Sequence, residues 1–218
     1  MLEAMTKEDI QTTIQEIEKR EDTWLYERVL TFYKAWLQYY EANERKDPEI
    51  SYIADGCYKW TFDAFKVKRF VEDNCKGEVL NLFAGKNRLR VKETRVDSSN
   101  KFFPDYCMSA KDFIELARRE NFRYDTIIWD PPWNERKSKE YYEGRYIGKF
   151  TKLKNDVTSL LNDNGIIISL GYEITNFGKS RGMDLIKVVD VDPKGEIRPY
   201  FISIEKKRQT LEKFLTSK

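Results

Sequence analysis

Apolar residues recur at helical spacing through the first stretch of the chain: Ile10, Ile14, Ile17, Leu25, Val29, Phe32, Trp36 and Tyr40 fall on one stripe. The pattern predicts helix over residues 6–46, opened by the capping box Thr6-Lys7-Glu8-Asp9 and interrupted near Glu21-Asp22-Thr23, where the stripe thins. Residues 47–60 carry turn signals, Asp47-Pro48 and Asp55-Gly56, and read as loop. Thr61 to Asn74 reads as a short amphipathic helix closed by Lys76-Gly77.

The period changes at residue 78. Short apolar runs now alternate with helical stretches: 78–83 (EVLNLF), 92–96, 126–129 (TIIW), 165–170 (GIIISL), 186–191 (IKVVDV) and 200–204 (YFISI), with helical periodicity over 109–120 and 150–161. Such alternation predicts an α/β fold with a mainly parallel sheet. The last two strands are separated by the short connection around Asp192-Pro193-Lys194-Gly195 and are expected to form an antiparallel pair at one sheet edge. The last residues, EKKRQTLEKFLTSK, read as a basic exposed helix or tail. The expected organisation is a helical extension over 1–57, a core over 58–207 and a basic tail over 208–218.

Composition narrows the chemistry. The 218 residues include no histidine, which removes histidine bases, Ser-His-Asp triads and histidine-containing zinc sites. Three cysteines, Cys57, Cys75 and Cys107, lie far apart with no CxxC pair, as expected of buried, reduced thiols rather than a metal site. No apolar run approaches a membrane span, and the polar start MLEAMTKEDIQ lacks the apolar centre of a signal peptide, so a cytoplasmic protein without membrane contact is expected. Chemistry is left to carboxylates, backbone groups, aromatics, Lys/Arg or a cofactor.

Three signals carry that chemistry. The strand Val79–Phe83 runs into Ala84-Gly85, a small-residue turn of the kind that lets a ligand approach the backbone at the carboxyl edge of a doubly wound sheet. The segment that follows, KNRLRVKETRVD, leaves room for barely one helical turn before the next strand. Asp97, after the second strand, stands where an acid can hold a ribose hydroxyl pair, although Asp-Ser-Ser-Asn is also good turn chemistry. Asp130-Pro131-Pro132-Trp133 follows the strand 126–129 directly. The prolines end the ladder and hold the backbone extended, leaving neighbouring carbonyls free to accept hydrogen bonds. A carboxylate, a proline-flanked carbonyl and an indole together suit a planar base with an exocyclic amine. The alternative is an ordinary turn with a core tryptophan.

NLFAGKNRL followed by TIIWDPPW resembles motifs I and IV of S-adenosylmethionine-dependent amino-methyltransferases, and DPPW is the form typical of N6-adenine methyltransferases. The likeness extends over about residues 58–207 and resembles small prokaryotic and viral members. It implies a Rossmann-like fold with an antiparallel edge strand, S-adenosylmethionine as cofactor, and no metal. It further implies that Phe83, Ala84 and Gly85 border the methionine part of the cofactor and that Asp97 holds its ribose. Met108, Ser109 and Ala110 border its adenine, and Lys59 and Trp60, in a segment resembling motif X, close over it. Asp130, Pro131, Pro132 and Trp133 are then the catalytic set. Asn87 stands where many members have glycine, and Ser109 where they often have an acid.

Residues 135–154 mix cations with rings, as a nucleic-acid groove requires: Arg136, Lys137, Arg145 and Lys149 for phosphates, Tyr141, Tyr142 and Tyr146 for bases. Lys86, Arg88, Arg90, Lys92 and Arg95 form a second basic cluster expected on the same edge. The expected function is methyl transfer to the N6 amine of a flipped or unpaired adenine in DNA or RNA, with a partner subunit or homodimer aiding target recognition. The competing readings are another amine acceptor (cytosine N4, a protein amide, a small molecule) and a catalytically inert binding subunit. Pro104-Asp105 and Glu205-Lys206-Lys207 imitate a PD…ExK nuclease site, but no other acid is spaced to complete it.

Overall fold

The structure, a computed structural model, describes residues 6–19, 24–43, 47–56, 58–132, 150–174, 176–194, 199–210 and 215. It divides into two compact units, one of residues 1–46 with 208–218 and one of residues 47–207.

Among its described residues, the first unit contains two helices, α1 (Lys7–Glu18) and α2 (Trp24–Ala42). The capping box is formed: the Thr6 hydroxyl accepts from the Asp9 amide and the Asp9 carboxylate accepts from the Thr6 amide at 2.9 Å. Those bonds hold the Asp9 carboxyl below its ordinary value. Ile10, Ile14 and Trp36 are buried between the helices, with Phe32 and Tyr33 packed on them. Asn43 and Gln209 exchange two hydrogen bonds, which fastens the segment after the sheet to the end of α2.

The second unit is one eight-stranded sheet. Its strands are β1 (Glu49–Ala54), β2 (Val79–Asn81), β3 (Glu93–Asp97), β4 (Tyr106–Cys107), β5 (Tyr124–Trp129), β6 (Leu161–Gly171), β7 (Met183–Asp192) and β8 (Tyr200–Lys207), in the order β1-β7-β8-β6-β5-β2-β3-β4. Among the described residues, helices α3 (Phe65–Asn74), α4 (Ala110–Arg119) and α5 (Thr151–Val157) flank it. Alternate residues of the central strands enter opposite cores. Ile127, Trp129 and Ile167 pack with Phe113, Ile114 and Ala117 of α4, whereas Ile128, Ile166 and Ile168 pack with Val67 and Val71 of α3. A sheet covered on both faces explains why GIIISL is apolar without alternation. From β4 to β6 the order is that of a Rossmann-like, doubly wound sheet, which reverses direction at β2, between β3 and β5.

Several expectations need correction. Residues 49–54 are not loop but strand, paired in parallel with β7 from Glu49↔Lys187 to Ala54↔Asp192. The antiparallel strand is therefore not at an edge: β8 lies inside the sheet, antiparallel to both β6 and β7. The helix expected from Thr61 begins at Phe65, after a single 3₁₀ turn over Thr61–Asp63. Glu205, Lys206 and Lys207 belong to β8 rather than to a tail. The short strand β4 carries no apolar run of its own, and its Cys107 is exposed rather than buried as expected. Residues 82–92 contain no helix, not even the single turn for which the short spacing left room.

Glu205, fully buried in β8, accepts from the amides of Asn176 at 3.0 Å, Phe177 at 2.9 Å and Gly178 at 2.7 Å. It holds the loop after β6 in place and so presses Phe177 against Trp129, with ring centroids 5.3 Å apart. Glu205→Gln would set an amide donor against those N–H groups. It is expected to lower the unfolding free energy by about 1.5–3 kcal/mol, the range for hydrogen bonds to a charged group, read as a shift of the urea midpoint at unchanged slope.

Candidate active site

The carboxyl ends of β2, β3 and β5 meet at the point where strand order reverses, the place where open α/β sheets bind ligands. The turn leaving β2 is held by side chains of β3. Gly85 has φ +52°, a left-handed conformation that glycine adopts without steric cost. Its amide donates to Asp97 Oδ2 at 2.9 Å, and its carbonyl accepts from Arg95 Nη2 at 2.6 Å. Arg95 and Asp97 are two apart on one strand, hence on one face, so β3 grips the glycine on both sides.

The grip continues into the core. Arg95 is fully buried and also donates through Nη1 to the carbonyls of Phe102 at 3.0 Å and Phe103 at 3.1 Å. Its Nε lies 3.5 Å from Glu93 Oε1, and Glu93 accepts in turn from Asn81 Nδ2 and the Leu89 amide. Burial raises the Glu93 carboxyl above its ordinary value, opposed by the bonds from Asn81 and Leu89 and by the charge of Arg95.

Asn87, at the position where glycine was expected, donates to Asp63 Oδ1 at 2.9 Å, and Lys86 meets Asp63 Oδ2 at 3.0 Å. Burial pushes the Asp63 carboxyl up, but these two partners outweigh it and hold it below its ordinary value. They tie the glycine turn to the segment of Lys59 and Trp60. The Trp60 ring lies over Gly85, where a built Cβ would come within 3.8 Å of it, and meets Phe102 edge-on at 5.4 Å.

A cavity of about 170 Å³ opens at this edge, lined by Leu82, Phe83, Asp97, Ser98, Met108, Ser109, Ala110, Asp130, Pro132 and Phe150. It brings together Phe83, Asp97, Met108, Ser109, Ala110, Asp130 and Pro132 of the sequence-predicted residues. Ala84 and Gly85 form the turn that follows Phe83, the Trp60 ring lies over that turn with Lys59 exposed next to it in sequence, and Pro131 is buried and not part of the lining. Trp133, Arg136, Lys137, Tyr141, Tyr142, Arg145, Tyr146 and Lys149 lie outside the described residues.

Asp97 is 8% exposed, and both its oxygens are engaged, Oδ1 with the Ser99 amide at 2.8 Å and Oδ2 with Gly85. A carboxylate has about four acceptor positions, so two remain. The turn role and a ligand role are compatible in this residue. Ser109 caps α4: its hydroxyl accepts from the Asp112 amide at 3.2 Å and donates to Asp112 Oδ2 at 2.7 Å. Asp130 follows β5 at the cavity wall. Tyr200, buried at the start of β8, titrates above its ordinary value because of burial and then the charges of Asp130 and Asp55.

Leu82, Ser98 and Phe150 line the cavity without having been singled out as contacts. Trp129 is buried and packs behind two of the lining rings, edge-on to Phe83 at 5.2 Å and to Phe150 at 5.7 Å. The second basic cluster does not exist as one patch. Arg95 is buried, and Lys92 precedes β3 at the opposite sheet edge, where it faces Glu78 at 3.5 Å. Lys86 pairs with Asp63, and Arg88 donates to the Phe103 carbonyl at 3.2 Å. The nuclease-like residues are occupied elsewhere, Asp105 by the Arg95 amide at 2.8 Å and Glu205 by its three amides. Among the described residues no group of three or more acids or cysteines could hold a metal ion.

No protein-family model matches the chain, and no curated protein matches it. Solved structures similar to it include a Streptococcus mutans protein assigned as a SAM-dependent methyltransferase, at 18% identity and TM-score 0.43 over 64% of this chain and 48% of that one. TrmN from Thermus thermophilus is similar at 19% identity and TM-score 0.39, over 65% of this chain and 47% of that one. An rRNA methylase from Streptococcus thermophilus is similar at 10% identity and TM-score 0.36, over 65% and 95%. The chain thus spans about half the length of the first two.

Arg95→Met would strand Glu93 in the core and release the Gly85 carbonyl. Removing one partner of a buried pair costs about 3–5 kcal/mol. Urea denaturation is expected to show that loss. The double variant Arg95→Met/Glu93→Gln is expected to recover part of it, because no unpaired charge then remains buried.

Proposed function

We propose that the protein is an S-adenosylmethionine-dependent methyltransferase acting on the N6 amine of adenine in nucleic acid. One observation carries this reading: Asp97 and Asp130, which end the strands on either side of β2, line one cavity. Two strand spacings separate those strands, roughly 10 Å, a span that fits a cofactor on one side and an acceptor on the other.

The residues present fit the cofactor. Asp97 retains acceptor positions for a ribose hydroxyl pair. Leu82, Met108 and Ala110 offer apolar walls for a flat base, and the Ala84-Gly85 turn keeps side chains away from the backbone beside Phe83. When bound there, S-adenosylmethionine supplies a methyl group activated by a sulfonium charge. At the other end, Asp130 accepts a hydrogen bond from the acceptor amine, and the Pro131 carbonyl takes the second N–H. The amine lone pair, delocalised into the adenine ring, is thereby turned toward the methyl group. The rings of Phe83 and Phe150, backed by Trp129, keep the apolar wall dry and fix its shape, so positioning supplies much of the rate. A base inside a duplex cannot reach such a cavity, so the adenine enters flipped or unpaired.

Asp130→Ala is expected to leave binding of S-adenosylhomocysteine near the parent value and to lower methyl transfer on the order of 10²–10³, the loss typical of one preorganised contact. Calorimetry and tritiated-methyl transfer to single-stranded DNA and RNA, followed by nucleoside mass spectrometry, give both readings. Unchanged turnover would refute the assignment of Asp130.

Asp97→Asn keeps the shape and removes the charge. It is expected to weaken S-adenosylhomocysteine by about 1.5–3 kcal/mol. Equal affinity in variant and parent would leave Asp97 as a turn residue alone.

A further inference from the structure

Phe103 is 79% exposed, the largest exposure among the large apolar side chains described. It also has φ 49° and ψ 56°, a left-handed conformation that is a genuine outlier for a bulky residue. It precedes Pro104, where the backbone ordinarily prefers an extended form. An exposed ring in an unfavourable backbone persists only when its surroundings hold it there. They do: the Phe103 amide donates to the Asn100 carbonyl at 3.1 Å, while its own carbonyl accepts from Arg88 Nη2 at 3.2 Å and from buried Arg95 Nη1 at 3.1 Å. The arginine that grips Gly85 thus also holds a phenyl ring out into solvent, on the loop leaving β3 just beyond Asp97.

The surroundings are basic and aromatic. Lys101 and Arg88 are exposed beside Phe103, and Phe102 contacts Trp60, next to which Lys59 is exposed. Lys86 follows Gly85 on the same turn. The one acid within this loop, Asp105, is engaged by the Arg95 amide. A rigid ring with cations around it is the arrangement by which proteins stack single-stranded bases while neutralising their phosphates.

We infer that Phe103 is a stacking platform for a nucleotide flanking the target in single-stranded nucleic acid, with Arg88 and Lys101 at the adjacent phosphates. This rests on the nucleic-acid reading above and narrows it to an unpaired strand crossing the β3 side of the site.

The test is binding of a labelled single-stranded oligonucleotide, as DNA and as RNA, to the full chain and to Phe103→Gly, Phe103→Leu and Phe103→Trp. Glycine removes the ring and also relieves the left-handed strain, so this variant is expected to melt no lower than the parent while binding about 5- to 150-fold more weakly. The dependence on salt stays the same, since no phosphate contact is lost. Tryptophan is expected to preserve binding and leucine to lose it. Equal binding by Phe103→Gly overturns the inference. So does full binding by Phe103→Leu, which would indicate apolar docking, and so does binding to anionic vesicles in place of the oligonucleotide. Calorimetry with S-adenosylhomocysteine on the same proteins separates the two readings. Parent affinity for it together with oligonucleotide binding indifferent to Phe103 refutes only the platform. Phe103-dependent oligonucleotide binding without S-adenosylhomocysteine affinity supports the platform and refutes the cofactor.

Discussion

The site depends on how the chain holds a glycine turn without a helix behind it. In a doubly wound sheet the first crossover helix ordinarily begins at this turn and orders it. Here the connection over 82–92 has no helix, and the ordering comes from side chains of the next strand. Arg95 takes the Gly85 carbonyl and Asp97 its amide. The arrangement requires a buried guanidinium, which in turn requires Glu93, and Glu93 requires Asn81 and the Leu89 amide. Three successive residues on one face of this core strand are charged, and each has its own partner: Glu93 faces Arg95, Arg95 takes the Gly85 carbonyl, and Asp97 takes the Gly85 and Ser99 amides.

That solution couples places that the fold would otherwise leave independent. Asp97 braces the turn and also borders the cavity, and Arg95 holds both the Gly85 turn and the loop carrying Phe103. Asn87 and Lys86 connect the same turn to Asp63 and the Trp60 segment. On the other side of β2, Glu205 fixes the loop bearing Phe177, which buttresses Trp129 just before Asp130. The two acids of the cavity therefore stand on separate polar supports, one beneath each neighbouring strand.

Much of this was legible in the sequence because apolar periodicity reports burial. The central strands read as unbroken or alternating apolar runs, and the acids at the ends of β3 and β5 sit where the strands stop. What escaped had no such signature. Strand β1 reads as loop because EISYIA leaves Ile50 and Tyr52 mostly exposed and its partner lies far along the chain. Strand β4 is two residues long. Arg95 looks like surface charge among its basic neighbours, since nothing in a linear pattern distinguishes an arginine pointing into the core beneath a glycine turn. The position of β8 inside the sheet could not be read either, because a hairpin in sequence does not say which of its strands has another neighbour.

The outermost parallel strand has a consequence in time. Tyr52 meets Asp192 across 140 residues of chain, so β1 leaves the ribosome well before the strand it pairs with. Until β7 exists, an extended segment bearing Ile50, Tyr52 and Ile53 has no sheet to join, and closing so long a loop must wait for the intervening sheet to order. The strand made first is thus among the last to find its place, and during synthesis its unpaired edge waits longest for a partner strand.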